Sequence, residues 1–306
     1  MISPLRRRRL MLLTVRYIGW PLVVLLIYDI GIVAAYKAGY LHWAALNMIP
    51  VSLLGSVISI LVAFRNTTSY ARWWEARTLW GTIVNNSRSW ARQITTTIRR
   101  PTNAHPGEIE AIQQKMVYYQ IAWTHALRQH LRKLEPWNEI EDFLSPEEIA
   151  RLRGEKNVPV AIQQWQSTAL NDLLDRGWID AMQWRALDET LNDLVDAQGG
   201  AERIKNTPMP RQYDYLPQLC VQIFCILLPL AMGASMGWFT PLGSALVGFI
   251  FLALDKIGRD LEAPFDNTIN DIPLTSICRV IEINLRQMLG ETQLSSPTVP
   301  VNDILW

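Results

Sequence analysis

Between Asp214 and Asp255 the chain carries no Asp, Glu, Lys, Arg or His for forty consecutive residues. Forty helical residues reach ~60 Å, about twice the ~30 Å hydrocarbon thickness of a bilayer, so such a segment crosses and returns. The turn is expected within Met232–Pro241, where Gly233, Gly237 and Pro241 interrupt the helix. Trp238 and Phe239 suit interfacial depth beside it. A chain built around this segment is a membrane protein, and its other residues must be read against lipid as well as water.

The charged fraction of 19% hides how unevenly the charges are placed. Two further apolar spans lie at Tyr17–Tyr36, interrupted by Asp29, and Leu41–Phe64. Four spans therefore bracket a polar middle, Arg65–Arg211. Nineteen Lys and Arg lie in that middle, Arg6, Arg7, Arg8, Arg9 and Arg16 precede the first span, and only Lys37 falls in the short loops on the other side. This asymmetry puts both termini and the 65–211 region in the cytoplasm. The expected division is 1–64, with the N-terminus and two spans; 65–211, a helical cytoplasmic region; 212–258, with two more spans; and 259–306, a cytoplasmic tail. Arg8-Arg9-Leu10 ahead of an apolar run also fits a signal peptide, but no small-x-small cleavage pattern follows and Asp29 interrupts the apolar run. Cys220, Cys225 and Cys278 sit at membrane or cytoplasmic positions, so no disulfide is expected. The formal net charge of +1 gives no reason to expect a nucleic-acid partner.

The second span has no stop signal at its inner end: helical apolar spacing continues through Trp73, Trp80, Ile83, Val84 and Trp90. One helix is therefore expected to leave the membrane and run to Arg100, broken by Pro101–Gly107. Further helices are expected over Glu108–Leu134, from the Ser145-Pro146-Glu147-Glu148 capping box to Gly154, over Val160–Arg176, and over Ile179–Ala197, closed by Gly199-Gly200. Period-two alternation is absent, so the fold class is all-α.

Catalytic signatures are scarce. His42, His105, His125 and His130 are scattered, and the five-residue step from His125 to His130 puts them on different helix faces, a poor start for a metal site. No cofactor or metal is expected. The second span is more suggestive. Ser52, Ser56 and Ser59 place hydroxyls along one face, and Ile60 and Phe64 continue the Ser52–Ser56 line at four-residue steps. Such a stripe can line a water-filled path closed by an apolar constriction, which gates by dewetting. The plainer alternative is that the serines and Gly55 allow close helix packing. Asp29, mid-span, costs ~2.5–3.5 kcal/mol on an insertion scale if unpaired, so it should face protein or water. Its roles are a hydrogen bond to a neighbouring helix, simple protonation, or membership of an ion path.

The run from Arg65 to Arg77, dense in polar and aromatic residues, is open to interfacial anchoring by Trp and Arg. It also carries a resemblance. Phe64-Arg65-Asn66, Tyr70-Ala71-Arg72-Trp73-Trp74-Glu75-Ala76-Arg77 and Leu79-Trp80-Gly81 resemble the signature of the bestrophin family, bacterial branch. Glu202-Arg203-Ile204 with Thr207-Pro208-Met209-Pro210, and Glu262-Ala263-Pro264-Phe265 through Asn270-Asp271, resemble two further family segments in the right order. The resemblance implies a homopentameric channel of the bacterial inner membrane. It would conduct small monovalent ions, chloride among them, through an axial pore lined by the second span. It implies a neck at Ser56, Ile60 and Phe64, with Ser52 and Ser59 also lining the pore. Ser56 departs from the bulky apolar residue usual there, leaving the seal to Ile60 and Phe64. A lower constriction is implied in the cytoplasmic region, at Ile179 or Met182. Where animal members hold calcium, Asn267, Thr268 and Ile269 replace acids, so no calcium gating is expected.

An uncharged neck leaves charge preference to rings elsewhere. Arg65 is expected to form an inner-mouth ring that favours anions, while Asp29 and the acids of the insert work in the opposite direction. A reading from another class is a membrane-anchored sensor or scaffold, whose cytoplasmic helices bind a partner through exposed Trp137, Trp165, Trp178 and Trp184.

Overall fold

A computed structural model describes residues 18–41, 46–98, 105–300 and 305. The basic residues Arg6–Arg9 and Arg16, with Tyr17, His42 and the Pro101 break, lie outside the described residues. The described residues form helices α1 (Trp20–Lys37), α2 (Met48–Thr97), α3 (Glu108–Arg132), α4 (Trp137–Ile140), α5 (Pro146–Leu152), α6 (Val158–Asp175), α7 (Ala181–Asn206), α8 (Arg211–Met236), α9 (Thr240–Glu262) and α10 (Leu274–Met288). The chain divides into two compact units, Met1–Ala71 with Met209–Glu262, and Arg72–Pro208 with Ala263–Trp306.

In the first unit, α1, α8 and α9 pack on one another and α2 adds its N-terminal part. Among the described residues, three stretches are long and apolar enough to cross a membrane: Trp20–Lys37, Met48–Thr97 and Arg211–Glu262. The last is broken by a 3-10 turn, Gly237–Phe239, where Gly237 takes φ 52° and the side chains of Trp238 and Phe239 stand exposed. The break therefore falls within the expected turn. A left-handed backbone suits glycine, which has no Cβ to clash with the following carbonyl. The core comprises Leu25, Val51, Ile58, Val62, Val221, Phe224 and Leu228, among others. Large apolar residues such as Trp20, Ile27, Leu53, Leu242 and Leu246 point outward. That inversion is what hydrocarbon solvent permits and water does not.

The 50-residue α2 confirms the absence of a stop signal after Phe64. Its buried positions recur at Val51, Gly55, Ile58, Val62, Arg65 and Ser69, then at Ala76, Trp80, Ile83, Ser87 and Trp90, alternating steps of three and four that keep one face inward. In the second unit α3 is central, buried continuously from Ile121 to Gln129, and packs on α6 and α10. Three hydrogen bonds tie interior polar side chains of α3 to its neighbours: Gln120 donates to Ser87 at 2.9 Å, Gln166 to Gln120 at 2.8 Å, and Trp123 to Gln198 at 3.0 Å. Ser145 and Glu148 form the expected capping box on α5.

The expected stop at Gly199-Gly200 is wrong, because α7 runs through both glycines to Asn206. A Cβ on Gly200 would lie 2.9 Å from a methyl of Leu79, so this glycine serves close helix approach and does not end the helix. The helix also starts later than Ile179, at an Asp180–Gln183 capping box.

Candidate ion-conduction site

The expected pore residues fall on one side of α2. Ser52 and Ser56 are exposed, as are Ile60 at 57% and Phe64 at 65%. The packing role falls to Gly55, where an added Cβ would meet the Phe224 ring at 2.9 Å. Phe224 is itself held against Phe251, with ring centroids 4.9 Å apart. The serines thus take no part in helix packing within the chain. Their hydroxyls donate back along α2, Ser52 to Met48 O at 2.9 Å, Ser56 to Ser52 O at 3.1 Å and Ser59 to Gly55 O at 2.8 Å. Thr67 and Thr68 repeat the pattern onto Ala63 and Phe64. Each hydroxyl is satisfied inside its own helix and keeps acceptor capacity toward whatever covers that face.

Arg65 does not belong to this face. It is 1% exposed, and its guanidinium bonds Asp255 at 2.7 Å through Nη1 and Asp214 through Nη2, with Glu262 4.0 Å away. Asp255 also pairs with Arg259 at 2.8 Å. The expected inner-mouth ring of Arg65 is therefore corrected: the side chain turns inward and its charge is matched by carboxylates. This collar joins α2, α8 and α9, and Asn66 adds a bond to Leu254 O at 3.0 Å. Sequence reasoning missed it, although a signal was present. Asp214 and Asp255 are the two acids that bracket the uncharged stretch, and Arg65 is the first charge after the second span.

Asp29 is fully buried on the inward line of α1 with Leu25 and Val33. It faces protein and not a water path, so its ion-path role is not supported by this placement. Of the two residues expected at the lower constriction, Ile179 is 2% exposed, inside the core of the second unit, whereas Met182 is 75% exposed in the first turn of α7.

The acidic stretch is tied into the second unit. Asp266 pairs with Lys205, Asp271 accepts from Thr268, and Asn270 O accepts from Trp73 Nε1 at 3.1 Å. Burial raises the Asp271 carboxyl above its ordinary value, against the pull of its Thr268 bond. His125 and His130 turn to different carboxylates, Glu282 at 3.3 Å and Glu202 at 3.6 Å. Trp178 is buried and Trp137, Trp165 and Trp184 are partly buried, which corrects their expected exposure.

A family model described as bacterial/fungal bestrophin protein matches residues 12–287. The chain belongs to the bestrophin family. This bestrophin is 34% identical over 265 residues to a voltage-dependent anion channel-forming protein of Mesorhizobium japonicum, covering 87% of this chain and 82% of that one. A protein of Escherichia coli K12 with the same description is 33% identical over 258 residues, covering 83% and 81%. The crystal structure of a bacterial bestrophin homolog from Klebsiella pneumoniae superposes with a TM-score of 0.81 at 30% identity, covering 89% of this chain and 98% of that chain. Family membership makes this bestrophin an all-α, multi-pass membrane protein of the ion-channel type and not an enzyme.

Proposed function

We propose that this bestrophin is a homopentameric channel of the bacterial inner membrane that passes small monovalent ions, anions favoured, through an axial pore. Each chain contributes four spans, α1, the first half of α2, α8 and α9, with both termini and the 65–211 region cytoplasmic. The neck is formed by Ile60 and Phe64, with Ser56 as a smaller, wetter outer position and Ser52 and Ser59 lining the approach. The observation that carries this reading is the division of α2 into a packed face around Gly55 and a bare face bearing both hydroxyls and Ile60 and Phe64. In hydrocarbon, an exposed hydroxyl stripe, bonded only back along its own helix, is best covered by other copies around water. Anion preference is supported by the description of the relatives as anion channel-forming proteins, and no longer by Arg65. Met182 is the preferred lower constriction, since its side chain is free to reach an axis.

The scaffold reading loses its main support once the tryptophans are found buried or partly buried. Purified protein in a planar bilayer under asymmetric potassium chloride separates the two readings. Single-channel events reversing toward the chloride equilibrium potential are expected, from particles whose mass is close to five chains. Silent bilayers, or a conducting monomer or dimer, would sink the axial-pore model.

A further inference from the structure

A cleft of about 360 Å³ opens between α3, α5 and α6 in the second unit. Its floor is apolar, built from Ile112, Met116, Ala169 and Leu173, and at one end the Tyr119 and Trp165 rings lie 5.8 Å apart. Five charged side chains line it. Three are already engaged. Lys115 stands 3.0 Å from Glu148, which also accepts from the Tyr119 hydroxyl, and Arg176 pairs at 3.2 Å with Glu108 outside the cleft. Arg151 on α5 and Asp172 on α6 remain. Among the described residues neither makes an ion pair or a side-chain hydrogen bond, and they do not pair with each other.

The remaining charges state what would fill the cleft. Both side chains are solvent-exposed, so they are open to an occupant that offers an anionic group to Arg151, a cationic group to Asp172 and an apolar body to the floor. A guanidinium suits a carboxylate, because its fork of N–H donors matches the two oxygens. The volume is at the small end of ligand sites, which fits a single small molecule. We propose that this cleft binds a small amphipathic zwitterion of the free apolar α-amino acid class. The carboxylate sits at Arg151, the ammonium at Asp172, and the side chain lies over Met116 toward Trp165. This site is independent of the pore and of whether the protein conducts.

The test is calorimetry on the detergent-solubilised full chain with three probes of one shape: L-phenylalanine, 3-phenylpropionate, which lacks the ammonium, and 2-phenylethylamine, which lacks the carboxylate. Phenylalanine is expected to bind saturably, and each analogue roughly tenfold or more weaker, as for loss of one charged hydrogen bond. Arg151→Gln and Asp172→Asn should each weaken phenylalanine by a similar factor while leaving the ligand-free melting temperature unchanged. No saturable heat from phenylalanine at millimolar concentration overturns the proposal. So does an analogue that binds as tightly as phenylalanine, since one of the two charges would then be idle.

Discussion

Replacing Arg65 with Gln separates the two roles that its position allows. If the side chain lined an inner mouth, five positive charges would vanish from the ion path and the reversal potential would move away from anions. In the collar, the change instead strands Asp255. That carboxylate is 2% exposed and cannot turn to water, whereas Asp214, 44% exposed, can. Removing one partner of a buried ion pair costs about 3–5 kcal/mol, most of it from the charge left behind. Arg259 stays 2.8 Å from Asp255 and offsets part of this, so the loss should lie near the lower end, about 3 kcal/mol. Tryptophan fluorescence during chemical unfolding in detergent measures the stability, and bilayer recording in asymmetric salt measures selectivity. The expected outcome is a clearly destabilised protein whose surviving channels reverse at the wild-type potential. Wild-type stability together with a shifted reversal potential would refute the collar and restore the ring.

Three further outcomes follow from named contacts. Ile60→Ala and Phe64→Ala should raise single-channel conductance by widening an apolar ring, with Ser56→Ala nearly silent; unchanged current in all three would remove α2 from the pore. Gly55→Val should cost about 1–3 kcal/mol in unfolding experiments, since its Cβ would start 2.9 Å from a Phe224 ring that is itself packed; Val tolerated there without loss would contradict the packing of α2 on α8. In the second unit, burial works to raise the Glu282 carboxyl, but the His125 ring 3.3 Å away, the bond from Ser295 and the charge of Arg279 outweigh it and hold it at about 2. A depressed carboxylate stabilises fully above its unfolded pKa of about 4.3 and loses that contribution as pH falls toward its folded value. Stability should therefore drop between those limits, and Glu282→Gln should flatten that part of the pH profile.

What the sequence determined by itself was the solvent and the element type. Forty uncharged residues point to lipid as their solvent, and the missing stop after Phe64 to a continuous helix, because both follow from local spacing and composition. The capping box at Ser145 was legible for the same reason, as its bonds close within four residues. The line of Ser52, Ser56, Ile60 and Phe64 was also visible, but not which side of the helix it would occupy. Tertiary structure decided that, by setting Gly55 against Phe224 and so turning the serines outward. It likewise turned Arg65 from a pore charge into a buried collar, because Asp214 and Asp255, 149 and 190 residues away, arrive at the same place only when α8 and α9 pack against α2. Gly200 reads as a helix stop until Leu79 is seen pressed against it. Periodicity gives a helix its faces; what lies against each face is fixed by partners distant in the chain, and charge and glycine change meaning with the partner.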